Sequence, residues 1–156
     1  MEIWELSARE AIRDAIAQYT HSGDRFLLED LAAAFSEDGI LEVRGSEPVQ
    51  GRTAIVRRLS GGAGSTNEEV RAAAMARAAA AGTKRIVRHT ITNIRFETIS
   101  PDEAQVASYF TVFTEIGLDH LGRYRDRFVP VGDRWLIAHR FVSVDWYAEG
   151  STFTAS

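Results

Sequence analysis

The sequence contains no cysteine. That excludes disulfides, thiolate nucleophiles and metal sites built on thiolates. It suits a reducing compartment best without deciding one. There is no excess of positive charge either: 18 Lys and Arg stand against 22 Asp and Glu, for a net charge of −4. A chain that grips nucleic acid through phosphates is normally basic. Its arginines are interleaved with acids, as in "GRYRDRF", so no nucleic-acid partner is expected. No apolar run approaches the ~20 residues of a membrane span, so no membrane partner is expected. The opening "MEIWELSARE" is acidic and lacks an apolar core, so no signal peptide is read and a cytoplasmic location is expected. Heptads and internal repeats are missing. "GGAG" does not follow a strand as G-x-G-x-x-G, which removes a Rossmann reading.

What is present suits one domain of 156 residues with its own core. The hydrophobic fraction is 45% and the charged fraction 26%, ordinary for a globular chain, so disorder is not expected. "LSAREAIRDAIAQYTHSGD" reads as an amphipathic helix opened by a Ser7/Glu10 capping box. Ala8, Ile12, Ala15, Ile16 and Tyr19 form its apolar face, and Gly23 suits its stop. Asp24 then reads as the N-cap of a second helix, "RFLLEDLAAAF", which "SEDG" breaks. "ILEV" alternates as a short strand, "RGSEPVQG" reads as a loop, and "RTAIVRRL" as a third helix. An Ala-rich helix follows, capped by Thr66 or Asn67 behind a Gly/Ser loop. It reads as an insert at about 60–82 within a single domain spanning 1–156.

From Lys84 onward the pattern is all β: "RIVRHTITNIRFETI", "EAQVASYFTVFTEI", "GRYRDRFVPV" and "DRWLIAHRFVSVDWY". The separators "SPD", "GLDHLG" and "GD" are turn-formers. Helices first and a long antiparallel meander afterwards predict an α+β domain. A sheet curling around a helical layer encloses an apolar pocket. Tyr19, Phe35, Tyr109, Phe113, Tyr124, Trp135 and Trp146 are placed either to line it or simply to fill the core.

The chemistry falls to His, Asp, Glu, Tyr and Ser. Of the four histidines, His120 lies in the "GLDHLG" separator and is expected to be solvated. His139 lies in the last strand, packed or exposed. His21, three residues before Asp24, is a candidate for the cavity mouth. His89 is the stronger candidate, because Val87, His89 and Ile91 share one strand face by period two. It reads either as a satisfied core histidine or as half of a catalytic pair with Asp24. In such a pair the carboxylate fixes the imidazole tautomer and stabilises the imidazolium. Arg123, Arg125 and Arg127 form a solvated or subunit-facing row, and Arg140 is expected to pair near Asp145 and Trp146.

The phrases "FSEDG", "GRTAI", "RHTITN" and "GDRWLIAHR", in this order, resemble the SnoaL-like branch of the nuclear transport factor 2-like superfamily. The resemblance covers nearly the whole chain, the Ala-rich insert least. It implies a cone-shaped, curved antiparallel or mixed sheet packed against three to four N-terminal helices, a cystatin-like roll with a deep cavity. Relatives such as scytalone dehydratase and lindane dehydrochlorinase eliminate water or HCl. They use a His base on the strand matching "RHTITN" and an Asp at the end of the first helix; His89 and Asp24 fall on those positions. Their other site residues are not matched: where scytalone dehydratase has a second histidine on the following strand, this chain has Glu115 and Ile116.

The resemblance therefore implies a lyase or isomerase, dehydratase-like, free of cofactor and metal. Its ligand is a small apolar, cyclic or aromatic compound held by Tyr19, Tyr109, Phe113, Trp135 and Trp146. The other reading is a non-catalytic binding module or partner subunit, like the small subunit of ring-hydroxylating dioxygenases. A homo-oligomer, dimer or trimer, is expected, since one helical layer does not cover both faces of such a sheet.

Overall fold

A computed structural model of the chain describes residues 1–61 and 67–153. The Gly/Ser run at 62–65 and Thr66, a candidate cap, lie outside the described residues. Helix α1, Ile3–Asp24, runs its full apolar face into the core, with Ile12 and Ile16 at 0% and 2% exposure. It is followed by α2 (Leu28–Ala32), β1 (Phe35–Val43), β2 (Val49–Gln50), α3 (Arg52–Leu59) and α4 (Asn67–Ala80). The meander is β3 (Val87–Ile99), β4 (Ala104–Thr114), β5 (Gly117–Val131) and β6 (Arg134–Tyr147).

The six strands form one sheet in the order β2-β1-β6-β5-β4-β3. Only β1 against β6 is parallel, so the sheet is mixed. Helix α1 packs against β3 and β6, and α3 against β1. The result is an α+β cone with helices on one side of a curved sheet. Curvature has local causes. Asn93, at φ 52, sits in a register shift of β3 against β4, and β-bulges bend the strand that carries them. Gly122 on β5 sits tightly against β6 and the Phe110 ring, with no room for a side chain. A Cβ there would stand 2.1 Å from the Ser143 carbonyl and 2.7 Å from the Phe110 ring.

Five expectations about the elements are corrected. Ser7 and Glu10 do not open the first helix: α1 begins at Ile3, with Glu2 at its N-cap and no side-chain cap, so both lie inside it. Asp24 does not cap a second helix: α1 continues through it, and the following α2 has only five residues, starting at Leu28. "SEDG" does not end an element but forms a bulge inside β1. Phe35 and Leu41 stay buried on either side of the register shift, and Gly39 tucks against the Phe35 side chain. Val49–Gln50, read as loop, pairs with β1. The turn expected over "GLDHLG" is confined to the two residues between Thr114 and Gly117, with Gly117 at φ 95. Everything after it, His120 included, is strand.

The two sheet faces differ in kind. The inner face carries Val106, Phe110, Val112, Tyr124 and Phe128, all buried. The outer face carries the arginine row, each member paired with an acid: Arg123 with Asp145 on the adjacent β6, Arg125 with Glu97 on β3, and Arg127 with Glu103 just before β4. Such exposed pairs contribute little to stability. Tyr109, Phe113 and Trp146 sit on the exposed surface at 51%, 44% and 47% exposure. Among the described residues no helix is long and apolar enough to cross a membrane.

Candidate active site

The inner face of the cone holds a cavity of about 240 Å³. Beneath it lies a buried ion pair. Arg140, on β6, donates to both carboxylate oxygens of Asp126, on β5, at 2.8 and 2.7 Å. Both side chains are fully buried. The Tyr19 and Tyr124 rings lie 4.1 and 4.0 Å from the guanidinium carbon, so the cation is held by π-faces as well. Burial pushes both tyrosine hydroxyls above the ordinary range, despite the opposing pull of Arg140. They therefore remain protonated. The expected partnership of Arg140 with Asp145 is thereby corrected. Arg140 points inward by strand parity, while Asp145 points outward and takes Arg123 at 3.0 Å.

His89 and Asp24 line one wall. The end of α1 brings the carboxylate to β3, 65 residues away in sequence. The His89 backbone N–H donates to Asp24 Oδ2 at 3.1 Å, and His89 Nδ1 lies 2.5 Å from Oδ1. A carboxylate accepts, so Nδ1 carries the proton and Nε2 keeps its lone pair. His89 retains 20% exposure, enough for the ring to exchange protons with water.

A second histidine shares the cavity. His120 Nδ1 lies 2.7 Å from Asp119 Oδ1. Thr114 and Ser151 also donate to the Asp119 carboxylate, at 3.0 and 2.6 Å. Burial pushes Asp119 up, but the hydrogen bonds from Ser151, His120 and Thr114 outweigh it and hold the carboxyl below its ordinary range. Burial pulls His120 down; Asp119 opposes this and the neighbouring His89 adds to it. His120 is therefore a neutral imidazole, with its proton on Nδ1. Its ring packs against Phe110, Tyr147 and Phe153.

Among the histidines, His120 is the one whose place the sequence reading had wrong: it is 7% exposed, not solvated. Period two from Tyr124 and Asp126 would have found it, since His120, Gly122, Tyr124 and Asp126 share one face. Of the aromatics expected to bind a ligand, Tyr19 lines the cavity. Tyr109 and Phe113 do not, because Phe110 and Val112 take the inner parity on β4. Trp146 is exposed and Trp135 packs, partly buried, on the edge of the core. Tyr124, also expected to line the pocket or fill the core, does line it, and the other places are taken by Phe26, Phe110 and Phe153. His21 is exposed, and His139 pairs with Glu42 at 2.8 Å away from the cavity. Among the described residues no three His, Asp or Glu side chains gather as a metal site.

With that geometry in place, comparison with known proteins identifies the lineage. The SnoaL-like domain family matches residues 4–141. The chain belongs to the SnoaL-like family. An NTF2-like protein with a cystatin-like fold from Novosphingobium aromaticivorans shares the SnoaL-like chain's fold with a TM-score of 0.71. It is 23% identical over 94% of this chain and 87% of its own. A protein from the same organism, provisionally named scytalone dehydratase, gives a TM-score of 0.72 at 22% identity, with 100% of both chains covered. A Catenulispora acidiphila protein solved in complex with S-DNPA gives 0.66 at 26% identity, over 88% of this chain and 92% of its own. No curated protein matches the sequence significantly.

Proposed function

We propose that this SnoaL-like protein is a cofactor-independent lyase or isomerase that moves a proton next to a carbonyl in a small cyclic substrate. The observation that carries this reading is the Asp24–His89 pair at 2.5 Å in the wall of an apolar cavity, with no hydrogen-bond partner on Nε2 among the described residues. In the proposed step, His89 Nε2 takes the proton from the carbon beside the carbonyl. Asp24 stabilises the imidazolium that forms. The Tyr19 and Tyr124 hydroxyls, kept protonated by burial, supply hydrogen bonds to the oxyanion. In an elimination the C–O bond to the leaving hydroxyl then breaks, and the imidazolium returns its proton to that oxygen, so that water departs and His89 is regenerated. In an isomerisation the same proton returns to a different carbon. Neutral His120 offers its Nε2 lone pair to a substrate hydroxyl.

Two relatives lend support at different strengths. The structure provisionally named scytalone dehydratase shares the fold, and the S-DNPA complex is of a relative that holds a small molecule. Homo-oligomerisation through the outer sheet face, with its exposed Tyr109, Phe113 and Trp146, belongs to the same proposal and is read by light scattering.

Proton abstraction can be followed without knowing the natural substrate. 2-Tetralone, a cyclic ketone with acidic α-hydrogens, is incubated with protein in D2O, and loss of the α-hydrogen signal is followed by NMR. The wild type should accelerate exchange, and His89→Ala should lose about 10²–10⁴-fold of that acceleration, the usual worth of a positioned base. Exchange equal in both proteins would sink the assignment of His89 as base.

A further inference from the structure

Arg85 is a charged side chain of the cavity wall that the proton-transfer reading leaves unused. It lies just before β3, four residues from His89, and lines the same cavity. Its guanidinium carbon stands 4.9 Å from the Phe26 ring centroid and 5.7 Å from that of Phe153. Aromatic rings engage the faces of a guanidinium and leave its edge of N–H donors available. One of those donors, Nε, is buried without a hydrogen-bond partner among the described residues. A buried donor left unpaired is costly, and cationic donors more so.

The surroundings add a direction. An outer hollow of about 400 Å³ shares Phe26, Arg85 and Val87 with the cavity. Arg25, Lys84 and Arg88 line that hollow as well; among the described residues its one acid is Asp24, already committed to His89. The field along this approach favours anions. Glu115 and Asp119 also act on Arg85 through space, and Arg77 opposes them. Burial is the largest influence and pulls the guanidinium below its ordinary range.

Resting on the reading of this cavity as the substrate site, we propose that Arg85 binds a carboxylate on the ligand, so that the substrate is a cyclic or aromatic carboxylate rather than a neutral apolar compound. A planar carboxylate matches the guanidinium edge, whose two parallel N–H donors recognise it bidentately. A single negative charge balances the single cation at the cavity wall. The aromatic body then lies along Phe26, Phe110 and Tyr124, deeper in the cavity.

The test uses two probes of one shape, 2-naphthoate and 2-naphthamide, titrated calorimetrically into the full chain. The wild type should bind the naphthoate about tenfold or more tightly than the amide, in line with a hydrogen bond to a charged group. Arg85→Gln should abolish that preference while leaving amide affinity within about twofold, and Arg85→Lys should keep part of it. Equal affinities in the wild type, no binding of either probe, or equal loss of both probes in the folded variants would overturn the proposal. Should Arg85→Gln fail to fold, the wild-type preference and Arg85→Lys still decide it. Binding is read without turnover. A protein that selects naphthoate through Arg85 but exchanges no α-hydrogen keeps this inference and sinks the proton-transfer reading; the reverse pattern sinks only this one.

Discussion

The floor and the walls of the cavity are both built from ion pairs, but of two kinds. On the floor, Arg140 and Asp126 are wholly buried and joined by two short hydrogen bonds. Burial alone would pull the guanidinium down, but Asp126 outweighs it and fixes the cation beyond any working pH. On the walls, each carboxylate is paired instead with an imidazole, Asp24 with His89 and Asp119 with His120. The two walls differ in turn. Asp24–His89 joins a helix end to a strand and stays open to solvent, whereas Asp119–His120 is contiguous in sequence and closed over by Ser151 and Phe153. A pair that cannot change charge can hold a fold. A pair that can change charge can do proton chemistry, and the accessible one can also exchange its proton with water.

Breaking the floor gives the largest effect. Asp126→Ala leaves Arg140 buried and uncompensated and should cost about 3–5 kcal/mol in urea unfolding. Replacing both partners, as Asp126→Leu with Arg140→Met, should recover most of that loss, because it removes the stranded charge. A single substitution costing under about 1 kcal/mol would mean that the pair does not organise the core.

A smaller effect sharpens the contrast between the walls. His120 has a folded pKa below its ordinary 6.5, so the unfolded chain binds more protons in that window. Its contribution is present above 6.5 and is lost as pH falls from there toward the depressed folded value. Asp119, also depressed, keeps its contribution until stronger acid. His120→Gln should therefore flatten the decline in stability between about pH 7 and 5, as read by urea unfolding at several pH values. An unchanged slope would show that His120 titrates as it does in the unfolded chain.

The contrast also explains what could be read from the sequence. Helix α1 was legible because its apolar positions repeat at helical spacing and face one core. Helix α3 was bounded correctly by Gly51 and Ser60. The residues alone left His89 open between a core histidine and a partner of Asp24; family resemblance favoured the pair, since nothing local links residues so far apart. His120 was misplaced because turn-forming residues surround it, while the turn itself needs only two residues and the glycine at 117. On β4, choosing Tyr109 and Phe113 over Phe110 was a one-residue error of parity, which moves a side chain to the opposite face. Arg140 was assigned the acid nearest in sequence, Asp145, when its partner is the cross-strand Asp126.

The central claim is that Asp24 holds the His89 proton on Nδ1 and leaves Nε2 as the base. Long-range ¹H–¹⁵N correlation spectra of the folded protein, with the imidazoles neutral, read this directly. The account predicts a protonated Nδ1 and an unprotonated Nε2 for His89, with that preference lost in Asp24→Ala. A His89 protonated on Nε2 in the wild type, or a tautomer unmoved by Asp24→Ala, would contradict it.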